Sequence, residues 1–303
     1  MKSLFGSLML LLTATIWGVA FVAQSVGMDY VGPFTFSFTR YILGAVVLLP
    51  FVVVDLSKNN KKKQLKNIDE ETKKSIFSVK TSIIGGLICG VVLFTASILQ
   101  QFGINYSDSV GKCGFITALY IVMVPLIYIC MGKKYRFFIW LAVPISVIGM
   151  FLLCVNPAEG FKIGFAEILV MISAVFFSIH IIIVDSIIQK SSGVTISAVQ
   201  FFMCFVIGLV FALIFEKPTF AMVLKGWVPI CYAGILSCGV AYTLQILGQK
   251  HVEPAKASLI MCLESVISAI AGWILLGQVL SVKEIIGCVV VFAGIILAQF
   301  SGE

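Results

Sequence analysis

The sequence predicts an all-α integral membrane protein with ten transmembrane helices arranged as two inverted five-helix repeats. Three observations predict it: an overwhelmingly apolar composition, ten apolar runs of spanning length, and two related segments about 145 positions apart. Apolar residues fill 60% of the 303 positions, charged residues only 12%, and the mean hydropathy is +1.10. A water-soluble fold of this size has too much surface to cover with so few charges. Near-continuous apolar runs are what lipid demands of a chain.

Crossing the hydrocarbon core takes about 20 apolar residues in a helix. The first run, Ser3–Val26, is too long for a signal-peptide core and lacks a small-x-small cleavage site, so it reads as a retained first helix. The following runs are Pro33–Val54, Thr81–Ile104, Ser109–Met131, Phe137–Cys154, Gly164–Val184, Val194–Phe215, Trp227–Leu247, Ala255–Leu276 and Glu284–Phe300. The fifth and tenth are short. Between the second and third lies the one long connection, Asp55 to Lys80, whose KNNKKKQLKN and DEETKK stretches read as a solvated cytoplasmic loop.

Ten spans put fifteen Lys and Arg residues on the side of Met1 and five on the other, leaving Arg40 inside a helix. The positive-inside rule then places both termini in the cytoplasm, in the cell membrane. The net charge of +7 is concentrated in these connections. That distribution suits topology control and anionic lipid, and argues against nucleic acid as a partner. The nine cysteines form no C-x-x-C pair, and with two histidines they supply no metal-ligand cluster.

An internal repeat organises the chain. The segment ASILQQFGINYSDSVGKCGFITALYIVMVP contains Gln100-x-x-Gly103, and AYTLQILGQKHVEPAKASLIMCLESVIS contains Gln245-x-x-Gly248. Lys112 then matches Lys256 after a slip of one residue, and Gly149 matches Gly294. The halves are residues 1–155, including the loop 55–80, and 162–303. Five spans is an odd number, so the second half enters the membrane upside down. Such repeats recur in secondary transporters, which bind substrate near the midplane between them.

With the repeat in view, the chain resembles the drug/metabolite transporter superfamily, in its ten-helix EamA-like branch. The residues that carry this are Ala14-Thr15-Ile16-Trp17-Gly18-x-x-Phe21, Phe38-Thr39-Arg40-Tyr41, GFITALYIVMVPL in the fourth span and CLESVISAIAGWILLGQVLS in the ninth. Two positions depart from the family pattern: Ser265 stands where proline commonly follows the glutamate, and Gln278 where a second glutamate is usual. The resemblance implies a permease, often an exporter, of amino acids, related metabolites or amphiphilic toxicants. Uptake, or passive facilitation by the same fold, is the alternative.

An ionisable side chain deep in a span costs roughly 2.5–3.5 kcal/mol on insertion scales, which makes such groups the first functional candidates. Glu264 lies near the centre of the ninth span, where a carboxyl can exchange a proton or hold a cationic substrate group. Arg40 lies about seven residues into the second span. It reads either as a clamp on a substrate carboxylate or as a structural cation bonded to Glu264 or to backbone carbonyls. Trp17, Gln24, Gln100, Gln101, Tyr120, His180, Gln200, Tyr242, Gln245 and Trp273 form a second tier. Of these, Tyr120, Gln100, Gln245, Trp17 and Tyr242 join Glu264 and Arg40 as expected substrate- or ion-binding residues. Gln100 and Gln245 are repeat partners, and Tyr120 holds the position equivalent to Glu264. His180 reads as interfacial, near a helix end.

Gly86-x-x-x-Gly90 suits close helix approach, and Pro125, Pro144 and Pro229 lie within spans. No P-loop, Rossmann glycine pattern, H-E-x-x-H or G-x-S-x-G is present. The expected protein is therefore not an enzyme, needs no cofactor, and runs on protons, another ion gradient or exchange. An intramembrane enzyme or sensor would want a catalytic pair or an appended soluble domain, and neither is evident.

Overall fold

The computed structural model describes residues 2–64, 76–107, 110–133, 137–154, 164–276 and 281–299, and every element among them is helical. In chain order these are α1 (Lys2–Met28), α2 (Pro33–Gln64), α3 (Val79–Tyr106), α4 (Val110–Ala118), α5 (Tyr120–Cys130), α6 (Phe137–Cys154), α7 (Phe165–Ile188) and α8 (Gly193–Phe215). There follow α9 (Phe220–Lys225), α10 (Trp227–Cys231), a π-helix (Tyr232–Tyr242), α11 (Thr243–Gln249), α12 (Pro254–Met261), α13 (Leu263–Leu276) and α14 (Val282–Gln299).

Among the described residues, eight helical stretches are long and apolar enough to cross a bilayer. The short fifth and tenth segments are α6 and α14, with 18 residues each. At the helical rise each spans about 27 Å, just under the hydrocarbon thickness, and the two pack along one another. Helices are the rule because a lipid-exposed backbone must satisfy its own hydrogen bonds.

Exposure is inverted relative to a soluble protein. Phe137, Phe220 and Val289 are 73%, 80% and 64% exposed, whereas Arg40 and Glu264 are 5% and 4% exposed. Apolar side chains face outward and the strong charges face in. That is the arrangement of a multi-pass integral membrane protein.

The charged connection after the second span is shorter than its composition suggests. Helix α2 continues through the lysines to Gln64, and α3 starts at Val79 with Ser78 accepting from the Thr81 amide. Asn59 explains part of this extension. It is buried, and its side-chain amide both donates to and accepts from the Phe77 backbone, tying the end of α2 to the start of α3. Residues 65–75 lie outside the described residues.

Helices α2 and α8 run antiparallel, and a carboxylate joins them at each end. Glu216, at the end of α8, accepts from the Phe34 and Thr35 amides at 2.8 and 2.7 Å, filling orphan donors at the start of α2. Asp55, near the end of α2, accepts from the Ser192 hydroxyl at the start of α8. Glu216→Ala is expected to cost about 1–2 kcal/mol, read as a fall of several degrees in Tm in detergent with unchanged elution. An unchanged Tm would show that the cap carries no weight.

Close contacts elsewhere pair in the same reciprocal way. A Cβ on Gly149 would meet the Val291 amide nitrogen at 2.6 Å, and one on Gly294 would run into Ser146 Oγ, so α6 and α14 each accommodate the other through a glycine. A Cβ on Gly90 would meet Met203 Cβ at 2.6 Å and the Gln200 carbonyl at 2.8 Å, and one on Gly86 would meet Val199 Cβ at 2.7 Å, which makes the G-x-x-x-G pair the seam between α3 and α8. The burial pattern of α1 also recurs in α7, 160 positions further on. Leu10, Thr13, Ala14 and Gly18 are buried where Val170, Ser173, Ala174 and Ser178 are buried, with the same exposed residues between them.

Candidate functional site

Two of the spans are broken near their middles. The fourth is interrupted at Leu119, where the chain tightens to a Val122 N to Leu119 O bond of 2.9 Å before α5 begins at Tyr120. The ninth is interrupted at Cys262, where Ser265 donates to the Cys262 carbonyl from both its amide (3.1 Å) and its hydroxyl (2.8 Å). A third span carries the π-helix Tyr232–Tyr242, whose wider turn is common at functional positions. Unwound or overwound segments at this depth persist where they line a protein cavity.

They do so here. A cavity of about 550 Å³, counting its open mouth, lies at the centre of the bundle. Trp17, Arg40, Gln100, Tyr120, Tyr242, Gln245 and Glu264 all line it. The structure thus brings together every residue on which the sequence placed substrate or ion binding. Tyr120, on the first residue after the α4–α5 break, donates its hydroxyl to Glu264 Oε1 at 3.0 Å. Gln100 donates to the Thr117 hydroxyl at 3.1 Å. Trp17 stacks at a tilt on Tyr242, with ring centroids 4.6 Å apart. Gln245 is buried, and its Oε1 meets no donor among the described residues.

Arg40 does not pair with Glu264. Its guanidinium donates to Gln24 Oε1 at 3.0 Å and to the Tyr41 hydroxyl at 3.4 Å, and Tyr41 in turn donates to Ser97. The cation lies over the rings of Tyr41 and Phe36, with centroids at 4.9 and 5.6 Å. Its Nε is buried without a hydrogen-bond partner among the described residues. Neither Arg40 nor Glu264 has an oppositely charged side chain within 4.0 Å among the described residues. The structural reading of Arg40 as the counter-ion of Glu264, or as a cation held by backbone carbonyls, gives way to a neutral cradle of amide, phenol and aromatic faces.

The remaining second-tier residues divide. Gln24 lines the cavity. Gln101 donates to the Gln24 carbonyl at 3.4 Å. His180, expected at an interface, is instead 1% exposed and bonded to Gln200 Oε1 at 3.0 Å. The helix continues four residues beyond the predicted end, to Ile188, so the imidazole lies two turns inside it. Trp273 faces outward at 53% exposure. Gln278 lies outside the described residues.

Several lining residues escaped the sequence reading, namely Phe21, Thr117, Phe177, Ile181, Ser237 and Met261. Three of them stand at fixed intervals after other lining residues. Phe177 and Ile181 stand 160 positions after Trp17 and Phe21, while Met261 stands after Thr117 at the spacing that separates Glu264 from Tyr120.

Residues 4–155 and again 164–300 match the EamA-like transporter family. The chain belongs to that family. As an EamA-like transporter it is a membrane transporter, similar along nearly its whole length to curated relatives. It is 24% identical over 299 residues to an uncharacterized transporter of Archaeoglobus fulgidus, covering 98% of this chain and 87% of the relative. An uncharacterized transporter of Clostridium kluyveri is 23% identical over 312 residues, covering 98% and 94%. The uncharacterized transporter YoaV of Bacillus subtilis is also 23% identical, covering 94% of each chain. One solved structure superposes with a TM-score of 0.77 at 15% identity, covering 97% of this chain and 96% of the other, a likeness of fold. In this EamA-like transporter the break in the ninth span is held by Ser265, whose hydroxyl and amide both donate to the Cys262 carbonyl.

Proposed function

We propose that this chain is a secondary transporter that exports small amphiphilic metabolites of amino-acid type by alternating access through the central cavity. The observation that carries this is one pocket holding a buried cation and a buried acid that do not neutralise each other. A zwitterion bearing a carboxylate and an ammonium group supplies a partner to each, and the aromatic wall of Trp17, Phe21, Phe177 and Tyr242 takes an apolar side chain. Charge-assisted bonds of that kind are strong in a desolvated site.

The proposed mechanism treats residues 1–155 and 162–303 as inverted repeats that rock about the cavity. The reciprocal α2–α8 caps, the mutual glycine contacts of α6 and α14 and the recurring burial pattern support this division. The excess of lysine and arginine on the face of Met1 supports both termini lying in the cytoplasm. Export as the direction rests on kinship with the family. Drive by protons or by exchange fits a chain without a nucleotide-binding motif.

A thermal-shift screen of purified protein tests the substrate class. Amino acids with apolar side chains are expected to raise Tm in a concentration-dependent way, while their amides and their deaminated acids do not. Equal stabilisation by a permanent cation lacking a carboxylate would replace the zwitterion with a cationic toxicant.

A further inference from the structure

On the face of the bundle that carries the N-terminus lies a second, more open cavity of about 850 Å³, counting its mouth. Four of the helices that wall the central cavity, α5, α7, α11 and α12, also wall this one. On α5 the central cavity is lined by Tyr120 and the outer one by Tyr128, two turns on; on α7 by Ile181 and then Asp185, one turn on. Helix α11 contributes Gln245 to one and Gln249 to the other, and α12 contributes Met261 and Pro254. Helical rise puts the two spaces only about 6–12 Å apart along each wall.

What separates them is thin and polar at its edges. Val124, fully buried, sits midway between Tyr120 and Tyr128 on one stripe of α5. Beyond it the Tyr128 hydroxyl donates to Asp185 Oδ2 at 2.6 Å, joining α5 to α7. Lys133 reaches the same oxygen at 3.9 Å and lies over the Tyr128 ring at 4.3 Å from its centroid. On the opposite wall Gln249 donates to the Ile181 carbonyl at 3.1 Å, joining α11 to α7. The Oε1 atoms of Gln245 and Gln249, one turn apart on one helix face, are both buried without a donor among the described residues. Buried amide oxygens of this kind suit a path that polar groups travel.

We propose that the passage from the central cavity to this face runs along the Gln245–Gln249 side of α11 and is latched shut by Tyr128 on Asp185, with Lys133 backing the carboxylate and Gln249 closing the other wall. The proposal rests on the transport reading for its purpose but not for its geometry. Breaking the latch frees α5 and α12 to part from α7, and the two spaces become one.

The reporter is the thiol introduced by Val124→Cys, treated with a membrane-impermeant reagent in oriented vesicles and read peptide by peptide. Adding Tyr128→Phe is expected to raise its labelling rate about tenfold, the scale of one charge-assisted hydrogen bond, from the N-terminal face only. Asp185→Ala, which removes the acceptor from the other side, gives a similar rise, and the two combined exceed neither by much because they cut the same bond. Labelling unchanged by both substitutions, or raised from the opposite face, overturns the latch. A rise in labelling in protein that moves no ligand in proteoliposomes upholds the latch and instead brings down the transport reading.

Discussion

Glu264→Gln is expected to abolish gradient-driven accumulation of substrate, by about a hundredfold or more, while the protein still folds and inserts. The geometry favours that separation. Glutamine has the shape of glutamate, and its amide oxygen can still accept the Tyr120 hydroxyl that now lies 3.0 Å from Oε1. The packing around residue 264 is kept, including the close approach of α1 at Gly18, where a Cβ would meet the Glu264 carbonyl at 2.8 Å. What disappears is the one acid that lines the central cavity among the described residues, and with it exchange of a proton or pairing with an ammonium group at that position. Losing a partner from a desolvated charge pair costs about 2–5 kcal/mol. Proteoliposome assays distinguish the two roles. If Glu264 carries a proton, counterflow exchange of substrate survives in the variant and only uphill transport is lost. If it holds the substrate's ammonium group, both are lost together with the thermal shift. Full accumulation with unchanged pH dependence would remove Glu264 from the mechanism.

The class of the protein was legible because lipid imposes a long apolar run for every crossing, and such runs survive without an alignment. Ten segments were read and their helices are present, with the fifth and tenth short as expected. Errors fell where tertiary contacts outvote composition. Lysines 61–63 looked like loop, yet Asn59 anchors α2 to Phe77 and the helix continues past it. The breaks at Leu119 and Cys262 were invisible, since neither position holds a proline or a glycine, and the hydroxyl of Ser265 does its work through a backbone carbonyl. The cavity residues were readable for a different reason. A polar or ionisable group inside a span is costly unless it faces a cavity or a partner, so rarity alone selected Arg40, Glu264 and the glutamines. The same rule cannot find Phe177 or Met261, which are ordinary membrane residues until the fold brings them into one cavity wall with Trp17 and Thr117.

Arg40→Gln is expected to leave Tm within a few degrees of the parent and to weaken carboxylate-bearing ligands by about a hundredfold. The expectation follows from what surrounds the guanidinium. A buried cation tied to a carboxylate leaves a stranded charge when it is removed, and such losses cost about 3–5 kcal/mol. Here no acid lies within 4.0 Å among the described residues. The bonds lost run to Gln24 and to Tyr41, which keeps its own bond to Ser97. Glutamine can still meet the Gln24 amide, and desolvation of a charge is relieved rather than imposed. Binding loses far more, because Arg40 is the one cation that lines the cavity among the described residues, where the other donors are neutral, and a charge-assisted pair is about twice as strong as a neutral one. Arg40→Lys separates charge from shape: it keeps the cation and loses the planar fork, so partial retention of affinity would indicate a point-charge contact, and full loss a bidentate one. If Arg40→Gln instead lowers Tm by ten degrees or more while the residual folded protein binds ligand normally, the arginine is a structural strut and the zwitterion reading loses its anchor for the carboxylate.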